Sequence, residues 1–115
     1  MEDGARSGYK NAASSVATYG YLYNWYAVDD SRGLCPSGWH VPTDEEWTAL
    51  TTELGGEGIA GYWMKSSSTD SPSWNGANSS GFSALPGGWR DYYGLFGYEG
   101  SEGYWWSASP VASSY

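Results

Sequence analysis

The chain has 115 residues, 18% of them aromatic and 17 of them glycine, with a formal net charge of −8 and a pI near 4.2. That length suits one domain, able to bury a single core without metals or disulfides, and its acidity repels a phosphate backbone and so excludes nucleic acid as a natural partner. Gly and aromatic residues are mediocre helix formers and Leu, Ile and Val are sparse, which excludes a helical bundle and points to a loop-rich α+β or all-β domain built on Trp and Tyr.

The N-terminal stretch MEDGARSGYKNAASS is polar and small, and residues 1 to 18 read as a weakly ordered lead-in. It lacks the apolar stretch of a signal peptide. No apolar run in the chain approaches the roughly 20 residues that span a bilayer, so membrane insertion is not expected. From Tyr19 the texture changes: YGYLYNWYAV places rings at 19, 21, 23, 25 and 26, a near-alternation that predicts a strand. DDSRG (29–33) reads as a turn, and in LCPSGWHVP the prolines Pro36 and Pro42 exclude a helix.

TDEEWTALTTELGG carries the clearest local signal. Thr43 can accept from the backbone of Glu46 while the Glu46 side chain returns the bond, a capping box. Asp44, Glu45 and Glu46 suit the positive end of the helix dipole, Trp47, Leu50 and Leu54 share a face, and Gly55 can close the end in the left-handed conformation. A helix over about 44–54 follows. Residues 55–81 are Gly- and Ser-rich; GFSALPGGWR then reads as strand, turn and strand, and GYWWSAS (103–109) as a short strand with Tyr104 and Trp106 on one side and Trp105 on the other.

Catalytic chemistry is thinly represented. Cys35 and His40 stand close together, but no third group orients them and no oxyanion hole is visible, so a packed thiol and a structural imidazole explain them more simply. As the single cysteine, Cys35 cannot form an intrachain disulfide. One His and one Cys fall short of a zinc site. Oxygen ligands for calcium are present in Asn75, Asn78, Asp91, Glu99 and Glu102, but without EF-hand spacing, and a solvated acidic loop is the simpler reading; no cofactor is expected. A carbohydrate-active enzyme would need two acids across a cleft, and only the acids of 91–102 are eligible. No GxSxG, GxGxxG or phosphate-binding loop occurs.

Four blocks in this order, YGYLYNWYAV, LCPSGWHVPTDEEWTALTTELGG, NSSGFSALPGGWR and GYWWSAS, closely resemble the Fibrobacter succinogenes major paralogous domain, a family of bacterial secreted and surface proteins. The resemblance runs from about Tyr19 to the C-terminus, giving a lead-in over 1–18 and a single domain over 19–115. It implies an α+β fold of the C-type lectin-like, formylglycine-generating-enzyme type, with a twisted antiparallel sheet and an extracellular or cell-surface location. Relatives carry further strands before the first block and after the last, so the chain is expected to be a fragment of the full domain. Self-association, or strand complementation by a separate C-terminal piece, is expected to follow. The final strand of relatives also bears a cysteine that pairs with the one in LCPSGWH, leaving Cys35 orphaned here. The resemblance confers no catalysis: the oxidase branch of the wider fold uses C-terminal cysteines, and the calcium–sugar motifs of C-type lectins are absent, WNG (74–76) being the nearest.

In this fold the segment after LPGG forms the ligand face, and some relatives are targets of diversity-generating retroelements that vary it. Here that segment alternates Gly94, Gly97, Gly100 and Gly103 with Tyr and acids, the mixture antibody paratopes use. The expected contact residues are Arg90, Asp91, Tyr92, Tyr93, Tyr98, Glu99, Ser101, Glu102 and Trp105. Trp89, Phe96, Tyr104 and Trp106 are expected to pack the scaffold. The leading expectation is thus a non-catalytic recognition domain, possessing features of a variable protein, for a protein or glycan ligand. The alternatives are a carbohydrate-active enzyme and a structural module of a surface fibre.

Overall fold

A computed structural model describes residues 4–110. The fold is α+β, with four α-helices and two separate two-stranded antiparallel sheets among the described residues. Strand β1 (Arg6–Ser7) leads through a 3-10 turn (Tyr9–Asn11) into α1 (Ala13–Tyr19), β2 (Leu22–Tyr23) and α2 (Trp25–Val28). After a loop come α3 (Asp44–Glu53), α4 (Glu57–Met64), β3 (Trp89–Arg90) and β4 (Phe96–Gly97). Arg6 faces Tyr23 in the first sheet, and Trp89 faces Gly97 in the second.

The expected helix over 44–54 is present as α3, with its capping box complete in both directions. Its end is a Schellman closure: Gly56 N–H donates to Thr51 O at 2.7 Å and Gly55 N–H to Thr52 O at 3.1 Å, with Gly55 at φ 99°. Trp47, Leu50 and Leu54 share the inward face but are only half-buried. The turn expected at 29–33 is also present: Asp30 accepts from the backbone and the guanidinium of Arg32, which holds its carboxyl down at about 2.

Three expectations are corrected. From residue 4 on, the lead-in is built into the structure: β1 pairs with β2, Tyr9 is buried, and its ring lies 5.3 Å from that of Phe96. Asn24 makes this attachment, its Oδ1 accepting from Ala5 N–H at 2.9 Å and from Ala27 N–H at 3.0 Å. That second bond also caps α2, which is why the ring alternation of 19–28 does not produce one strand: only Leu22–Tyr23 is extended, and Trp25–Val28 turns helical. Residues 103–109 are likewise not a strand, because only Gly103 bridges, in parallel with Gly88. Of the strands expected within GFSALPGGWR, Ala84 makes an isolated bridge to Lys65 and Trp89–Arg90 forms β3.

Helix α4 has no side-chain cap at its start. It is held by burial of Ala60 and Met64 and by the loop after it. Its last carbonyls, which no helical N–H can reach, accept from that loop: Tyr62 O from Ala77, Trp63 O from Ser80 and Met64 O from Ala84. The buried set is small, with Tyr9, Ala27, Ala60, Met64, Ala84, Pro86 and Ser66 at its centre, while many large rings remain in water. Among the described residues no helix is long and apolar enough to cross a membrane.

Candidate functional site

The segment 88–106 is positioned at both ends by close backbone approaches. Gly88 has φ 73°, and a Cβ there would meet Gly97 O at 2.6 Å, Glu99 N at 2.7 Å and the Tyr9 ring at 2.7 Å. Its N–H donates to Glu102 O at 2.7 Å. Only glycine fits this crossing. The four regularly spaced glycines of the segment divide their roles. Gly94 and Gly100 take positive φ in turns, whereas Gly97 leaves room for the Trp89 ring and Gly103 for the Leu85 carbonyl.

Between β3 and β4 the loop is closed by Asp91. Its Oδ1 accepts from Tyr93 N–H and Leu95 N–H, both at 2.9 Å, while its own N–H donates to Leu95 O at 2.8 Å. With the backbone thus fixed, Tyr92 and Tyr93 project into solvent, 88% and 84% exposed, their rings edge to face at 5.5 Å. After β4 the chain turns again over 98–102, with Ser101 and Glu102 N–H both donating to Tyr98 O at 3.0 Å. Tyr98 itself sits at φ 63°, a left-handed conformation unusual for a bulky residue, and its ring is 5.9 Å from Trp89.

The structure therefore brings Arg90, Asp91, Tyr92, Tyr93, Tyr98, Glu99, Ser101 and Glu102 onto one hairpin and the turn after it, leaves Trp105 outside that unit against Phe82, and gives the acids internal partners. Asp91 holds the loop, Glu99 accepts from the Ser15 hydroxyl at 2.5 Å, and Glu102 accepts from the Tyr104 hydroxyl at 2.6 Å. That last bond, with burial and the charge of Glu102 behind it, raises the Tyr104 phenol above its ordinary pKa. Arg90 lies over the Phe96 ring at 5.3 Å. Two cavities, of about 250 and 340 Å³, lie elsewhere; Cys35 and His40 help line the first, and Arg6, Asp30 and Arg32 the second. Neither is lined by Asp91, Glu99 or Glu102. Among the described residues no three His, Cys, Asp or Glu side chains gather as a metal cluster.

The rings expected to pack the scaffold divide as well. Trp89 and Phe96 are half-buried and in ring contact with Tyr98 and Tyr9. Tyr104, in contrast, is 64% exposed and belongs with the surface tyrosines, because residues 104–107 form no ladder that would turn it inward. Trp106 is held by its ends rather than by burial: its indole N–H donates to Tyr23 O at 2.8 Å and its carbonyl accepts from the Trp47 indole at 3.2 Å. Sequence reasoning missed Phe82, whose ring bridges the half-buried Trp47 at 6.3 Å and the exposed Trp105 at 6.4 Å into a partly exposed aromatic ridge. Nothing in SSGFSALP marks it, since the ridge is assembled from three distant segments.

All 115 residues match the family model described as the Fibrobacter succinogenes major domain. The chain belongs to that family. No curated protein and no solved structure matches it. The match takes in the first 18 residues of this Fibrobacter succinogenes major domain, the part the sequence blocks left out, within which the structure ties Arg6–Ser7 to β2 and Tyr9 to Phe96.

Proposed function

We propose that this Fibrobacter succinogenes major domain is a non-catalytic, surface-displayed recognition module on a C-type lectin-like scaffold, and that it binds a protein or glycan through loop 90–102 and the neighbouring Tyr104 and Trp105. The observation that carries the reading is the pairing of fixed backbone with free rings. Tyr92, Tyr93 and Tyr98 are 88%, 84% and 57% exposed on a loop whose path is held by Asp91 and by the turn at 98–102. A loop already held in place loses little entropy on binding, and exposed Tyr side chains supply large contact area with few rotatable bonds. The position of the three loop acids, each bonded to a neighbour and away from the two cavities, supports binding over hydrolysis.

Screening the chain against glycan arrays and displayed proteins tests this reading. A ligand found there should lose about thirtyfold in affinity, about 2 kcal/mol, on Tyr92→Ala or Tyr98→Ala, the scale of a hot-spot ring. Affinity that survives replacement of every exposed loop tyrosine would move the site elsewhere.

A further inference from the structure

The sequence carries five cations, Arg6, Lys10, Arg32, Lys65 and Arg90, and the fold commits every one of them. Four lie over aromatic faces: Arg6 over Tyr21 at 3.9 Å, Lys65 over Trp74 at 4.8 Å, Arg90 over Phe96 at 5.3 Å and Lys10 over Tyr9 at 5.9 Å. The fifth, Arg32, is paired with Asp30. The recurring use of a cation over a ring reflects the attraction of positive charge to the ring's negative face. The surface loop spends its own cation, Arg90, on Phe96, and none of the four pairs uses a loop tyrosine. Tyr92, Tyr93, Tyr98 and Tyr104 are all more than half exposed.

Two further features point the same way. Asp91, Glu99 and Glu102 use part of their capacity internally, but an ionised carboxylate offers about four acceptor positions, so each can take a further donor. Over the whole chain the formal charge is −8, a field that draws cationic surfaces toward it and repels acidic ones. Neutral glycans gain nothing from that field, and anionic ones are opposed by it.

We infer that the ligand of this loop is a protein surface or peptide presenting Lys or Arg, whose cationic groups seat over the loop tyrosines and are flanked by Glu99 and Glu102. This rests on the recognition reading above and narrows it to one partner class. Association should be fast at low salt and weaken as salt rises, because the long-range part of the attraction is screened.

The test is selection of a random-sequence peptide library displayed on phage against the whole 115-residue chain, with a glycan array in parallel. The expected result is enrichment of peptides rich in Lys or Arg. Their affinity should fall several-fold from low to physiological salt and at least about fivefold on Tyr92→Ala or Tyr98→Ala, with Tyr92→Phe retaining it. Ellipticity of each variant checks that the fold is kept. Enriched peptides without cations, or neutral glycans bound with the same dependence on the tyrosines, would overturn the inference while leaving the recognition reading intact. Basic peptides bound equally well by the Ala variants would overturn it too, as charge alone would then explain them. Absence of any enrichment, with no glycan bound, would overturn both.

Discussion

Ser15, on helix α1, donates its hydroxyl hydrogen to Glu99 across 84 positions of sequence, joining the N-terminal helix to the turn that follows β4. A side chain expected to stand in a polar lead-in thus orients an acid of the candidate site. Ser15→Ala should lower stability by no more than about 1 kcal/mol, since the bond is exposed. It should free Glu99 to change rotamer. A double-mutant cycle with Glu99→Gln, followed by urea unfolding, measures the coupling; a coupling of zero would mean that the loop is oriented without α1.

Gly88→Ala should be far more damaging. The added methyl would sit within 2.7 Å of Gly97 O, Glu99 N and the Tyr9 ring, at a φ of 73° that alanine resists. A loss of about 3 kcal/mol or more is expected from overpacking plus backbone strain. Denaturant midpoints of wild type and variant check it, and a change within 0.5 kcal/mol, roughly the scatter of surface substitutions, would refute the crossing.

At Tyr98 the usual ranking of alanine and glycine should invert. Both substitutions lose the ring contact with Trp89, but glycine accepts φ 63° without the penalty that alanine keeps. Tyr98→Gly should therefore be more stable than Tyr98→Ala by about 1 kcal/mol, although glycine's flexibility normally disfavours it. Thermal unfolding of the two variants side by side decides the order.

Acidification should loosen the start of α3. Glu46 is held below its usual pKa of 4.5, first by the Thr43 backbone N–H and then by His40, whose Nε2 lies 2.8 Å from both carboxylate oxygens. A carboxyl whose pKa is lowered in the fold stabilises that fold above its unfolded pKa, and the contribution is lost as pH falls through the lowered value. Helical ellipticity should thus decline as pH drops below about 4.5. Glu46→Gln keeps an acceptor for the capping box but does not titrate, so its profile should be flatter over that window.

Self-association, if it uses the Trp47–Phe82–Trp105 ridge, should respond to salt in the opposite sense from a basic partner. Two copies each carrying −8 repel one another, so screening should strengthen their apolar contact. Sedimentation at rising salt should show mass above 12.5 kDa, reduced by Phe82→Ser. A monomer at every salt concentration would rule the ridge out as a self-contact.

Helix α3 was legible in the sequence because its signals are local: the Thr43–Glu46 box and the Gly55–Gly56 closure act within one turn of the ends they define. The loop tyrosines were legible for a related reason, since flanking glycines and acids keep them from burial. Helix α4 was not, because Gly56 offers no capping side chain and Gly58 and Gly61 weaken it; its support comes from distant loop amides. The strand expected at 19–28 failed because ring alternation cannot reveal that Asn24 bonds both Ala5 and Ala27. The block around Tyr104 points to a packing residue, while its exposure depends on a ladder that 104–107 never forms.

The turn between β3 and β4 also bears on heredity. Asp91 and Gly94 anchor its backbone bonds, and residues 92 and 93 contribute to them no more than the N–H of 93, so their side chains do not set the path of the chain. Codons for those two positions can change to other residues that keep a backbone N–H at 93 without removing a turn bond. On the proposed recognition reading, such changes would alter the surface offered to a partner while the turn bonds held by Asp91 and Gly94 stay in place.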